Sequence, residues 1–566
     1  MNPHNRSHLC VLLSFVVAAI AVTWPLALRF NQGVPYGGDA FQFVWNGWWF
    51  RKALADPHLS VWWTPCQYAP VGTSLILHDL SPLNSFIQAL LIPLIGDFAS
   101  YNLLIIFHYV LGAWGAYILA WYLTGNRPAS VIAGVIYGFS VYHAMHLSQL
   151  GTVSSGWLPL SIYYLLKFTR DGGWRDGVLS ILMLLAAALS HWYQLAFSAV
   201  MFFGLMLIGQ FGLRDHLGGM QRWTRAILPW LAATLILSPL IIAAWDESRI
   251  LGTAWQVEIG KMYLLDPAWA VLPPPDHPFL GALSKPLAAF IPGNATEGVV
   301  SLGLVAIVLG FLSWFRRNPT TRAWCWLGLI LFILALGPTL TILSLQPKIS
   351  LFGYVTHIPG PFRLWSEIPG LNLVRVPARF VGPFTLALGI GAAGWIAGLG
   401  PVWRTGWRRA ILLWLLPVLI LLETTVAPIP ISGNEYRHPA LKNLAKIYSD
   451  ATGDPNPPDL IINYPLLPQR RPFLLQQTIH QIPTMDGELS YPPPGAMEFY
   501  LDFNWNPRIV KDLGIDMVLY HPWAAKTSLG EHFDVGDREV PPLEFFRDIA
   551  GYKVAYQDER LIVFIP

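Results

Sequence analysis

The sequence predicts an α-helical polytopic membrane protein of about eleven spans, followed by a small C-terminal α/β domain. Three observations predict it. First, of 566 residues 54% are hydrophobic and only 12% charged, where soluble chains carry about 25% charge. Second, residues 1–430 repeatedly run close to twenty positions with hardly any charge. At about 1.5 Å rise per residue such runs match the roughly 30 Å apolar layer of a bilayer. Third, the basic residues are unevenly shared between alternate loops. This composition excludes a soluble enzyme, a disordered scaffold and a nucleic-acid binder. The net charge of +3 is too small to select an acidic partner. Cys10, Cys66 and Cys325 have neither metal-ligand nor disulfide spacing.

The predicted spans are Leu9–Leu28, Tyr101–Leu123, Ala129–Tyr142, Ser155–Phe168, Gly177–Leu189, Gln194–Gly209, Ala226–Trp245, Gly298–Phe315, Ala323–Leu343, Phe380–Leu399 and Ala410–Val426. The length of the first run and its bulky Trp24-Pro25 ending favour a retained span over a cleaved signal peptide. Leu83–Ile95, short and bracketed by Pro82 and Pro93, reads as an interfacial helix. With the N-terminus in the cytoplasm, the short inner loops carry Arg6, Arg127, Lys167, Arg170, Arg175, Arg214, Arg222, Arg225, Arg316, Arg317, Arg322, Arg404, Arg408 and Arg409. The outer loops 29–100, 143–154, 190–193, 246–297 and 345–379 are far longer and hold fewer. That bias fixes the parity of the set. It places the long first loop and the C-terminal residues outside the cytoplasm, in a plasma (inner) membrane.

The domains expected are 1–430, membrane-embedded with its outer loop 29–100, and 431–566, an extracytoplasmic α/β domain. The latter has strand-like runs at Leu460–Tyr464, Ile515–Tyr520, Tyr552–Ala555 and Leu561–Ile565, the last two joined by Gln557–Arg560. Arg437–Tyr448 and Pro542–Ala550 read as helices, and Tyr491–Pro494 as a rigid loop.

Polar chemistry belongs on the face with the large loops. Asp39 follows Gly37-Gly38, just before a Trp-rich stretch (Trp45, Trp48, Trp49) that reads as a helix lying in the interface. It is a candidate catalytic carboxylate, or a cap for that helix. Asp79 reads as a cap ahead of Ser81-Pro82. Arg375 and Arg379, four apart, share a face if that stretch is helical, although Pro377 lies between them. Planar guanidinium groups suit phosphate oxygens; snorkelling to headgroups is the plainer account. His143 and His146 have metal-compatible spacing but no third ligand in sequence. His146 and Gln149, with His191, therefore read as a polar rim for sugar or phosphate. Glu297, directly before the eighth span, either faces a cavity or favours a helix N-terminus.

The order of a span, a long outer loop with an early acid, many spans and an outer C-terminal domain resembles the C-type glycosyltransferase (GT-C) superfamily. The carrying residues are Gly38-Asp39-Ala40, Pro70-Val71-Gly72, Ser81-Pro82-Leu83-Asn84, Arg375-Val376-Pro377-Ala378-Arg379-Phe380, and Gln477–His480 with Pro483–Gly487. They are similar to stretches of uncharacterised bacterial members. The resemblance implies a membrane enzyme that moves a sugar from a polyprenyl-phosphate donor to a lipid, glycan or protein acceptor. It implies Asp39 as general base; on their own chemistry Arg375 and Arg379 are expected to hold the carrier phosphate, with His146, Gln149, His191 and Glu297 around the substrate. The family usually pairs two acids where Asp39-Ala40 stands here. The competing readings are a transporter or flippase of a lipid-linked substrate, and a non-catalytic relative. Spans nearly free of charge and the absence of a visible repeat weigh against transport. No ligand spacing indicates a divalent metal, and the expected partners are the lipid-linked donor and membrane lipids, with no nucleic acid.

Overall fold

The computed structural model describes residues 3–209, 219–251, 262–351, 354–368, 371, 374–400, 403, 406–465, 471–489, 512–523 and 551–566. Pro542–Ala550 and Tyr491–Pro494 lie outside the described residues. Every one of the predicted apolar runs falls on a helix. Five helices among the described residues are long and apolar enough to cross a membrane: Asp97–Thr124, Arg127–Met145, Trp192–Gly209, Met220–Arg249 and Pro377–Ala397. Arg6–Val22, Pro82–Ile95, Leu304–Ser313 and Pro319–Ala335 are shorter apolar helices. The protein is an integral membrane protein.

Helix ends follow local chemistry. Asn126 caps the helix Arg127–Gly138 by accepting from the Ala129 N–H at 3.1 Å. Asn318 does the same at Pro319–Ala335, for Thr320 and Thr321. Trp157–Asp171 stops at Gly172, whose φ of 73° is the left-handed conformation that favours glycine. The span expected from Gly298 becomes helical only at Leu304. There Glu423 accepts from the Val305 N–H at 3.0 Å, putting a carboxylate on that helix N-terminus. The run expected to reach Leu343 ends at Ala335, ahead of Gly337 (φ 80°) and Pro338.

Contacts divide the chain into two compact units. The first holds 1–29, 102–241 and 252–430. Its helices approach through small residues: a Cβ on Gly138 would lie 2.6 Å from the Ala113 nitrogen, and one on Gly156 would lie 2.7 Å from the Gly112 nitrogen. Gly138→Val is therefore expected to destabilise the protein by about 1–3 kcal/mol, read as a lower unfolding midpoint in detergent.

The second unit is composite, taking in 30–101 and 242–251 as well as 431–566. Gly33–Pro35 pairs antiparallel with Ile431–Gly433. A four-stranded sheet runs in the order Ile461–Tyr464, Met517–Tyr520, Ile562–Ile565, Lys553–Gln557; its first pair is parallel and the others antiparallel. Ile462, Val518 and Phe564 fill one core and Ile461, Met517 and Val563 another, as period-2 alternation requires. Arg437–Tyr448 splits into a 3₁₀ turn, Pro439–Asn443, and the helix Leu444–Thr452.

The two helices of the first loop differ in what they bury, and the first departs from expectation. Asp39–Ala55 carries Trp45, Trp48 and Trp49 into a core with Cys66, Leu75 and Leu474 instead of presenting them to lipid. The Trp45 indole N–H donates to the Gln477 side-chain oxygen at 2.7 Å. Pro82–Ile95 has reversed polarity: Asn84, Ser85 and Gln88 are fully buried, while Phe86, Leu90 and Leu94 are 44%, 57% and 78% exposed. Its N-terminal boundary is Ser81, in left-handed conformation, so Asp79 does not cap it. The Asp79 carbonyl instead accepts from Asn46 at 2.9 Å.

Candidate functional site

In the first unit the chain carries Glu297 on a one-turn helix, Ala295–Gly298, whose cap is Asn294. The Asn294 side-chain oxygen accepts from the Glu297 N–H at 2.9 Å, so the asparagine of the Asn294-Ala295-Thr296 sequon is engaged in folding. The Glu297 carboxylate is 4% exposed and faces Arg379 and His146. Arg379 reaches one oxygen through Nε at 2.9 Å and through a terminal nitrogen at 2.6 Å. His146 Nε2 reaches the other oxygen at 3.2 Å. Burial opposes the charge of this carboxyl, but the Arg379 and His146 charges outweigh it and hold it well below the usual carboxylate range.

Arg379 has further partners. Its terminal nitrogen donates to the Gln149 side-chain oxygen at 3.1 Å, and its guanidinium lies 5.2 Å from the centre of the Tyr193 ring. His146 Nδ1 faces the Tyr142 carbonyl at 2.6 Å. A carbonyl oxygen only accepts, so Nδ1 carries a hydrogen and the ring can address Glu297 only through Nε2. The Tyr193 N–H donates to His191 Nδ1 at 3.1 Å, and the Tyr193 hydroxyl accepts from the Arg375 N–H at 2.9 Å. Burial, then the charge of Arg379, push the His191 imidazole down to about 3, so it stands neutral here.

Four of the predicted residues, His146, Gln149, Glu297 and Arg379, thus form one bonded cluster, and Arg375 and His191 meet it through Tyr193. Arg375 and Arg379 do not share a helical face. The helix begins as a 3₁₀ turn at Pro377, preceded by Val376 in extended conformation, because the residue before a proline is pushed out of the helical region. His143, in contrast, turns away to Ser140 and Ser155. Tyr193 is the residue that sequence reasoning missed; its place directly after His191-Trp192 was the available signal. Tyr193→Leu is expected to cost about 0.5–2 kcal/mol through loss of the cation–π contact. Tyr193→Phe keeps that contact, and thermal unfolding of the two variants separates ring from hydroxyl.

Asp39 belongs to the second unit. Tyr36, Gly37 and Gly38 all have φ between 52° and 63°, a left-handed run that needs its glycines. The cap position is Gly38, which has no side chain, so Asp39 is the first helical residue and not the cap. Its carboxylate pairs with Arg471 at 2.6 Å, and Arg471 Nε lies 3.7 Å from Glu488. Arg471 opens the helix Arg471–His480, and Gln477 on that helix donates to the Cys66 carbonyl at 2.6 Å. Asp486 accepts from the Asn463 N–H and side-chain amide, each at 3.1 Å. The stretch Gln477–Gly487 therefore ties segments of this unit together. Among the described residues no group of three or more His, Cys, Asp or Glu gathers to hold a metal.

No protein-family model matches the sequence, and no curated protein matches it. Solved structures do. The arabinofuranosyltransferase AftD from Mycobacteria matches 99% of this chain with a TM-score of 0.56 at 14% identity. This chain spans only 40% of AftD's length. The oligosaccharyltransferase AglB from Archaeoglobus fulgidus, solved with an inhibitory peptide and a dolichol-phosphate, matches 93% of this chain and 70% of its own, with a TM-score of 0.52 at 12% identity. With helices at every predicted apolar run and this likeness over nearly the whole chain, the fold is that of AftD and AglB.

Proposed function

We propose that the protein is a glycosyltransferase that moves a sugar from a polyprenyl-phosphate donor to a lipid, glycan or protein acceptor on the extracytoplasmic face. The observation that carries the reading is Arg379, held by Glu297 at 2.6 Å and flanked by Gln149 and the Tyr193 ring. A guanidinium fixed in this way is pre-organised for phosphate oxygens and loses little freedom on binding them. As the glycosidic bond to the carrier breaks, negative charge grows on the leaving phosphate, where Arg379 and Arg375 stabilise it. His146, Gln149 and His191 supply hydrogen bonds to sugar or phosphate. Asp39 takes the proton of the acceptor hydroxyl as that oxygen attacks the anomeric carbon; Arg471 orients its carboxylate. The N-terminus is cytoplasmic, eleven helices span a plasma membrane, and residues 431–566 lie outside the cytoplasm.

The test is donor binding and turnover by purified protein in nanodiscs, with a panel of polyprenyl-phosphate sugars. Arg375→Ala/Arg379→Ala is expected to weaken donor binding by about 10²-fold, from two lost charge-assisted contacts of about 1.5 kcal/mol each. Failure of the wild type to bind any polyprenyl-phosphate sugar would put the transporter or non-catalytic reading ahead.

A further inference from the structure

Two packed spans of the first unit carry the Glu297–Arg379 cluster at one end and a separate cavity at the other. Arg127–Met145 leads to His146, and Pro377–Ala397 starts beside Arg379. A Cβ on Gly389 would lie 3.1 Å from the Ala133 carbonyl oxygen, so the two spans pack closely. The 21 residues of Pro377–Ala397 extend about 32 Å at 1.5 Å each, a full apolar layer. The far ends of both spans line a cavity of about 360 Å³ that includes Arg127, Asn126, Ile396, Trp403, Arg409 and Leu412. Its volume is that of a small-molecule site.

The chemistry of the lining is divided. Arg127 and Arg409 supply two cations, and Arg408 adds a third next to it, lying 5.7 Å from the centre of the Trp403 ring. Ile396 and Leu412 supply an apolar floor. Leu412 sits in a π-helical turn, Ile411–Leu415, within Gly406–Thr424, a distortion that often marks functional sites. A soluble phosphate would use the arginines and leave the floor idle. A zwitterionic headgroup would bring its own cation against them. An anionic headgroup with the first carbons of its acyl chains satisfies both halves. The basic loops at this end belong, by charge bias, to the cytoplasmic side, where anionic lipids meet juxtamembrane arginines.

The geometry points to a binding site for one anionic phospholipid of the cytoplasmic leaflet, on the membrane face opposite the Glu297–Arg379 cluster. The phosphate ester lies between Arg127 and Arg409, and Trp403 holds the headgroup level. The site is independent of the glycosyltransferase reading and can fail without it.

The test uses the full-length protein, purified and delipidated, with native mass spectrometry during titration by phosphatidylglycerol or phosphatidylcholine. Wild type is expected to retain one phosphatidylglycerol in preference to phosphatidylcholine. Arg127→Gln/Arg409→Gln is expected to weaken that binding roughly thirtyfold, from about 1 kcal/mol per arginine. Arg170→Gln, on the same side but outside the cavity, should leave it unchanged. Ile396→Trp fills the cavity while keeping both arginines and should also lose the lipid, which covers the case of a double variant that does not fold. Equal retention of the two lipids, or a double variant that behaves like Arg170→Gln, overturns the site. Displacement by excess inorganic phosphate overturns the lipid assignment in favour of a soluble phosphate ester.

Discussion

Glu297→Ala is expected to destabilise the protein by about 3–5 kcal/mol, because it leaves Arg379 buried without its counter-ion. The pair is 4% and 15% exposed, so water can replace little of what the carboxylate provides. Chemical unfolding in detergent micelles measures this. Glu297→Gln keeps the shape and two hydrogen-bonding atoms and should cost less. The decisive comparison is Glu297→Ala with Arg379→Met, which removes both charges and should recover much of the stability while weakening donor binding about tenfold. A double variant no more stable than Glu297→Ala would show that the charges are not the cause. The pH dependence has a definite sign. A carboxyl held below its ordinary range stabilises the fold fully above that range, and the contribution is lost as pH falls through its lowered value. Wild type should therefore lose more stability than Glu297→Gln on strong acidification, and the two should run parallel at neutral pH.

Asp39→Asn is expected to lower turnover by about 10²–10⁴-fold, the range for loss of a general base, while donor binding and the unfolding midpoint stay close to wild type. Asparagine keeps an oxygen for Arg471, so the helix N-terminus and the Arg471–Glu488 contact survive. Unchanged turnover in this variant would remove Asp39 from the chemistry and leave it as an anchor for Arg471. Arg471→Ala separates the two roles further: it should shift the dependence on acceptor concentration more than the maximal rate, since it orients the carboxylate without touching the sugar.

What could be read in the sequence was what lies close along the chain. Twenty-residue apolar runs become helices because an apolar medium leaves the backbone no other partner. The hairpin of Lys553–Gln557 and Ile562–Ile565 is announced by alternation around a short polar turn. His146, Gln149, Glu297 and Arg379 were each legible as polar residues at the same end of different spans, and topology alone gathers such residues. Their bonding was not legible, because it depends on a 3₁₀ turn at Pro377 and a one-turn helix capped by Asn294. The second unit hid its organisation more thoroughly. The pairing of Gly33–Pro35 with Ile431–Gly433, and of Asp39 with Arg471, joins segments some 400 residues apart, with no periodicity to reveal it. Arg471–His480 has little apolar patterning, so nothing announced the helix that carries Arg471 and Gln477. The Trp-rich stretch after Asp39 misled because tryptophan is as much at home in a core as at a membrane surface.

The reversed helix Pro82–Ile95 makes folding and lipid attraction separately editable. Its amide-bearing side fastens it to its own unit, through contacts such as Gln88 donating to the Phe43 carbonyl at 3.3 Å. Its outward stripe of Phe86, Leu90 and Leu94 touches none of that fastening. Charged residues at Leu90 and Leu94 should therefore detach the first loop from lipid and leave its architecture intact. An amide removed from the inner side should do the opposite, loosening the loop while it still adheres to a bilayer.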